Sequence, residues 1–280
     1  MSNNTKTPRI AFIGGGNMAQ ALGLGLIGDQ LSAQDVLVID PNEQAQARWQ
    51  TVGVHTQAAI DERLGDFDMW VLAVKPQLLG AVVGECAAFR QPNTLVLSIA
   101  AGIRATDIAQ WLGTPDQPFE RVIRCMPNTP ALVQQGVSGV MALPAVREAE
   151  KAFATQLLET VGTVVWVQDD AALDAVTALS GSGPAYVFLF LEALIAGGQS
   201  LGLSAGQARD LALQTVTGAA SLAAQSADSI AQLRQNVTSE GGTTAAALAV
   251  FQSQDFSAIV KKAMHAAAQR AKELAEQFSH

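Results

Sequence analysis

Short, continuously apolar runs rich in β-branched residues recur through the first half of this chain. They are Arg9–Ile13, Val36–Ile39, Met69–Val74, Thr94–Ile99, Arg121–Met126 and Val137–Ala142, with Thr163–Val167 after them. A strand with one wet face alternates apolar and polar residues, whereas a strand covered on both faces reads as an unbroken apolar run. Between most of these runs lie segments of helix length, such as Asn42–Val52, Gln77–Phe89 and Arg147–Val161. This rhythm predicts an α/β fold with a doubly wound parallel sheet.

The rhythm stops near residue 170. Ala, Leu and Gln then dominate, and breaks such as Ser180-Gly-Ser-Gly-Pro184, Gly202-Leu-Ser204 and Ser239-Glu-Gly-Gly242 mark helix ends. The reading is an α/β domain over 1–168 and an all-α domain over 169–280. The apolar residues of the second part exceed what one thin layer of helices can bury. A dimer built through these C-terminal helices is the expected solution.

Composition narrows the function classes. The chain has 280 residues, a formal net charge of −8 and 49% hydrophobic residues. An acidic surface disfavours nucleic acid and anionic membranes as main partners, because both require basic faces. The most apolar long run, Ala185 to Gly198, is 14 residues and contains Glu192. A membrane span needs about 20 apolar residues, so a buried core helix is expected, with no membrane association. Cys86 and Cys125 lie far apart and read as reduced structural thiols, fitting a cytoplasmic location. His55, His265 and His280 are too scattered for a metal cluster, so no metal is expected. No secretory leader is read at the start.

Ile10–Ile13 leads into Gly14-Gly-Gly16-Asn-Met-Ala19 and then a helical pattern. This is G-x-G-x-x-A between a strand and a helix. Such glycines allow a tight turn and close approach of backbone amides to a pyrophosphate, and the helix N-terminus adds partial positive charge. Ile13, Gly14, Gly15, Gly16, Asn17 and Met18 are therefore candidate cofactor residues. Asp40 closes the second strand, 24 residues beyond Gly16. It either accepts hydrogen bonds from the adenosine ribose diol, which favours NAD(H) over NADP(H), or caps the next helix. No Lys or Arg occurs from Pro41 to Ala47 to clamp a 2′-phosphate.

Further loops follow at strand carboxyl ends, where open α/β sheets bind ligands. Ala73-Val74-Lys75-Pro76 follows the third run and Ala100-Ala101-Gly102 the fourth. Lys75 either neutralises phosphate or is simply solvated. Arg124-Cys-Met126-Pro127-Asn128-Thr129-Pro130 ends the fifth run, two prolines around Asn-Thr making a stiff loop. It is either a wall beside a nicotinamide or a structural turn.

Taken together, the residues resemble the Δ1-pyrroline-5-carboxylate reductase family, along nearly the whole chain. The resemblance rests on Ile13–Met18, Ala73–Pro76, Arg121–Pro130, Leu179-Ser-Gly-Ser-Gly-Pro-Ala-Tyr186 and Asn236-Val-Thr-Ser-Glu-Gly-Gly-Thr-Thr244, in that order. It implies a Rossmann domain followed by a helical dimerisation domain, in dimers that often assemble into decamers. It also implies reduction of the small-molecule substrate 1-pyrroline-5-carboxylate to L-proline with NADPH or NADH. By this resemblance the Ser180–Tyr186 turn, with Ser182, and the Asn236–Thr244 loop line the substrate pocket. Relatives commonly carry small polar residues around the position of Asp40, which help accept the NADP phosphate, and proline or lysine where this chain has Glu240. Glu240 is therefore expected to face solvent.

A chemical role for Gly241-Gly242-Thr243-Thr244 follows. A helix beginning near Thr243 would present free N–H groups and a positive dipole end to the substrate carboxylate. Ser239 and the amides of Gly242, Thr243 and Thr244 are the candidate donors, and Gly241 keeps the approach open. An ordinary threonine helix cap is the alternative. Hydride addition to an imine is easiest when its nitrogen is hydrogen-bonded or protonated, and Thr244 is the candidate hydroxyl. Tyr186 reads as packing, and Ser180 and Ser182 as pocket lining or helix caps. Among rivals, a β-hydroxyacid dehydrogenase would need a lysine after the domain junction, yet none occurs from Ala152 to Val260. A non-catalytic NAD(P)-binding regulator would keep the glycine turn without needing Gly241–Thr244.

Overall fold

The computed structural model describes residues 8–27 and 31–278. His280 and the N-terminal stretch before Pro8, where part of the histidine and leader readings falls, lie outside the described residues. The chain forms two compact units, Met1–Ser182 with Ala267–His280, and Gly183–Ala266.

The first unit is built on eight strands. These are β1 (Ile10–Ile13), β2 (Val36–Ile39), β3 (His55–Gln57), β4 (Met69–Leu72), β5 (Leu95–Ser98), β6 (Val122–Met126), β7 (Gly136–Ala142) and β8 (Gly162–Trp166). Their spatial order is β3-β2-β1-β4-β5-β6-β7-β8. Helices α1 (Asn17–Leu26), α2 (Glu43–Gln50), α3 (Pro76–Ala87), α4 (Ala105–Leu112) and α5 (Glu148–Glu159) connect them. Alternate residues of β1 serve opposite faces. Ile10 and Phe12 join a core with Leu22, Trp49 and Leu157, while Ala11 and Ile13 join another with Leu79, Val83 and Ile108. Both faces are covered, which is why the strand sequences do not alternate.

Two features depart from the expected sheet. β3 was not read as a strand, because His-Thr-Gln at a sheet edge lacks an apolar signal. β6 and β7 pair antiparallel, with Cys125 opposite Val140, so β7 and β8 run against the other six strands. The Pro127–Gln135 connection is too short for a helical crossover, which takes about a dozen residues, but long enough for a reversal.

After β8 come α6 (Asp170–Val176) and a π-helical turn (Thr177–Gly181). The second unit holds α7 (Gly183–Ser200), α8 (Ala205–Gln225), α9 (Ile230–Asn236), α10 (Thr243–Ser253) and the first part of α11 (Phe256–Phe278). The expectation of a buried core helix at Ala185–Gly198 is corrected here. No residue of α7 is buried, and Phe188 and Leu189 are 58% and 67% exposed. A single layer of helices gives α7 too few neighbours within one chain, although it packs on α8. By length and composition alone, the helical stretch Asp170–Ser200 is long and apolar enough to cross a membrane.

Candidate active site

The glycine turn is held from three sides. Gly14 N–H donates to Ile39 O at 2.8 Å, Gly15 N–H to Asp40 Oδ2 at 2.7 Å, and Trp49 Nε1–H to Gly15 O at 3.0 Å. Gly14 has φ +99°, and a Cβ there would stand 2.7 Å from the backbone carbonyl of Ala73. Only glycine both adopts that conformation and lets the loop after β4 pack against it. Gly16 and Asn17 are exposed, and nothing lies within 4 Å of where a Gly16 Cβ would be. α1 begins there with no side-chain cap. Its first N–H groups thus open onto free space, which fits a dinucleotide pyrophosphate.

Asp40 is engaged by backbone on both oxygens. Oδ2 accepts from Gly15, and Oδ1 accepts from Asn42 N–H at 2.8 Å. The adjoining helix α2 is capped by Asn42, whose Oδ1 accepts from Ala45 N–H at 3.0 Å. Asp40 therefore ties the glycine turn to the start of α2 while remaining partly exposed. Trp49 had no expected role. It is fully buried beneath Gly15 and Gly23, a contact of α2 with the glycine turn and α1 on one face of the sheet that no local sequence pattern reveals.

The other expected cofactor loops reach the same edge. Ala73 N–H donates to Ile13 O at 2.8 Å, placing Ala73 and Val74 directly beside the glycine turn. Lys75 is exposed at the N-cap of α3, and Pro76 starts the helix. Ala100 and Gly102 are buried, and Leu274 Cβ from α11 backs Gly102. With β1 and β4 adjacent, these loops surround the point where strand order reverses.

Met126, Pro127 and Asn128 leave β6 at this edge. Pro127 and Asn128 are buried. Asn128 Oδ1 accepts from Val137 N–H at 2.9 Å, and its Nδ2 donates to Ser180 O at 3.1 Å. Met126 Cε would stand 2.5 Å from a Cβ on Gly181. The loop after β6 is thereby joined to the Ser180–Ser182 turn.

In the second unit, Gly241 has φ +69° and Gly242 caps α10 without any side-chain hydrogen bond. The Gly242 amide donates to Ser239 O at 3.1 Å, so it is removed from the expected donor set. The first intrahelical bond is Ala246 N–H to Gly242 O at 3.1 Å. The Thr243 and Thr244 amides precede it and remain at an uncapped helix start. Ser239, Glu240 and Thr243 are exposed, and Thr244 is half-buried. Asn236 turns toward its own helix: Oδ1 accepts from Gln232 Nε2 at 2.8 Å and Nδ2 donates to Asp228 Oδ2 at 3.4 Å.

Arg124, one residue before Cys125 in β6, also had no expected role. It is 2% exposed, bonds Asp170 of α6, and approaches Asp174 at 3.6 Å. Desolvation pushes the Asp174 carboxyl above its ordinary pKa, against the lowering pull of Arg124. Cys86 and Cys125 are free and buried, and burial pushes each thiol up to about 12. Among the described residues no group of three potential metal ligands assembles.

The family model described as pyrroline-5-carboxylate reductase dimerisation matches residues 170–274, and that of NADP oxidoreductase, coenzyme F420-dependent, matches 9–102. A pyrroline-5-carboxylate reductase of Pseudomonas aeruginosa is 46% identical over 97% of this chain and 98% of its own. The structure of a pyrroline-5-carboxylate reductase from Coxiella burnetii covers 96% of this chain and 98% of its own, with TM-score 0.87 and 39% identity. That of Plasmodium falciparum pyrroline carboxylate reductase, with NADP bound, has TM-score 0.84 and 27% identity over 96% of this chain and 98% of its own. The chain belongs to the pyrroline-5-carboxylate reductase family.

Proposed function

We propose that the chain reduces 1-pyrroline-5-carboxylate to L-proline, the closing step of proline biosynthesis, taking hydride from either NADPH or NADH. One observation carries the reading: a single chain holds both a glycine turn fit for a dinucleotide and a 170–274 segment matching the reductase dimerisation family. The bound nicotinamide supplies the hydride, so the protein needs neither a metal nor a covalent nucleophile.

The chain's own groups bind and orient. The amides at the start of α1, with Asn17 and Met18, receive the pyrophosphate. The Ala73–Pro76, Ala100–Gly102 and Met126–Pro127 loops wall the cofactor cleft, and Lys75 adds positive charge. The uncapped start of α10 takes the substrate carboxylate on the Thr243 and Thr244 amides, with Ser239 beside them. The Thr244 hydroxyl hydrogen-bonds the imine nitrogen and makes the adjacent carbon electrophilic. The threonine is too weak an acid to act alone, so the proton comes through it from water or arrives on the substrate.

Asp40 bears on cofactor choice. Its two oxygens already accept from the Gly15 and Asn42 N–H groups, which favours a structural duty over a ribose-ligand duty and so leaves NADPH open beside NADH. The NADP-bound Plasmodium relative supports the same reading. The exposed apolar face of α7 supports a homodimer through the helical unit, with decamers as a further assembly. The buried, free cysteines support a reducing, cytoplasmic setting.

The test is absorbance of the reduced nicotinamide band with purified protein and pyrroline-5-carboxylate, NADH and NADPH in parallel. Rapid oxidation is expected with both. No oxidation with either, in protein shown to bind one, overturns the reading in favour of a non-catalytic nucleotide-binding regulator.

A further inference from the structure

At the junction between α6 and α7, the Ser180 carbonyl lacks the i+4 donor of an ordinary α-helical turn. Residues 170–200 form one helical stretch, so Ser180 O would ordinarily accept from the N–H four residues on. That residue is Pro184, which has no N–H. The local register is also shifted, since Ser182 N–H reaches back to Thr177 O at 2.8 Å in a π-helical turn. Such turns are rare and concentrate at functional sites. A partly buried carbonyl without a donor is unfavourable, because it has given up water without a replacement hydrogen bond. The donor is provided from another element: Asn128 Nδ2–H at 3.1 Å.

Asn128 is suited to this. It is 8% exposed, and its other amide atom is fixed by Val137 N–H at the start of β7. The amide therefore cannot flip without losing two bonds. Met126 reinforces the join, because its Cε occupies the space a side chain on Gly181 would need. We propose that Asn128 is a positioning residue rather than a cofactor ligand. It holds the Ser180–Ser182 turn against the nicotinamide-proximal loop by serving the carbonyl that Pro184 leaves bare. This rests on the reading that the turn lines the substrate pocket.

The test uses the full chain and Asn128→Asp, which is isosteric. The variant keeps the acceptor for Val137 N–H and loses the donor to Ser180 O. Misplacement of a substrate-positioning group by about 1 Å costs on the order of 100-fold. We expect kcat/KM for the imine to fall about that far, while the cofactor Kd, read by nicotinamide fluorescence, stays within about threefold of the parent value, a change worth less than 1 kcal/mol. Pro184→Ala restores an N–H four residues beyond Ser180. The double variant Asn128→Asp/Pro184→Ala should recover about fivefold of the loss, the equivalent of one neutral hydrogen bond. A weakened cofactor Kd with unchanged turnover at saturation, or no recovery in the double variant, overturns the proposal. Ser182→Ala separates the two readings: parental imine KM there removes the turn from the pocket. The Asn128–Pro184 coupling, read as Tm in the same double-variant cycle, would still report the hydrogen bond itself.

Discussion

Gly15 N–H and Asp40 Oδ2 lie 2.7 Å apart, so the strand-end acid grips the glycine turn itself. Charged hydrogen bonds of this kind are worth about 1.5–3 kcal/mol. Asp40→Ala should therefore raise KM about tenfold or more for NADH and NADPH alike. A loss confined to NADH, in steady-state kinetics with both cofactors, would mean that Asp40 acts as a ribose ligand instead.

Gly14→Ala meets two obstacles at once, a φ of +99° and the Ala73 carbonyl 2.7 Å from the new Cβ. The Ala73–Val74 loop must shift. Cofactor binding should be lost by fluorescence titration, with the circular dichroism of the helical unit retained.

Thr244→Ala should lower kcat by about 10²-fold, the lower end for general acid assistance, with cofactor Kd unchanged. Thr244→Ser should restore most of the rate. Near-parental kcat in the alanine variant removes this hydroxyl from the chemistry.

Arg124 and Asp174 are predicted to differ sharply. Arg124→Leu leaves Asp170 and Asp174 without their buried partner and should destabilise by about 3 kcal/mol, read by urea unfolding. Asp174 has a folded pKa raised above 3.8, chiefly by desolvation. The folded state thus binds its proton more tightly, and stability falls as pH rises from the unfolded toward the folded pKa. Asp174→Asn should raise Tm at pH 7, with the gain shrinking in acid below the unfolded pKa. A constant gain across pH would refute this assignment.

Leu189→Arg on α7 places a charge on a face that is 67% exposed in one chain. Sedimentation velocity should show dissociation of the proposed dimer without loss of helix content. An unchanged oligomer would locate the interface elsewhere.

Much of this was legible in the sequence. Short, β-branched apolar runs such as Val36–Ile39 and Leu95–Leu97 fit strands covered on both faces, so the doubly wound core was legible locally. The glycine spacing at 14–16 and the Gly241–Thr244 helix start were legible for the same reason: backbone conformation there depends on residues in immediate succession. Tertiary structure alone decided the rest. The reversal at β7 depends on the geometry of the Pro127–Gln135 connection. The engagement of Asp40 by Gly15, of Trp49 by the same peptide and of Asn128 by Ser180 joins residues 25, 34 and 52 positions apart. The exposure of α7 depends on how few helices one chain can lay against it. Local sequence sets periodicity and dihedral freedom, whereas a hydrogen bond between distant residues exists only once the sheet has brought them together.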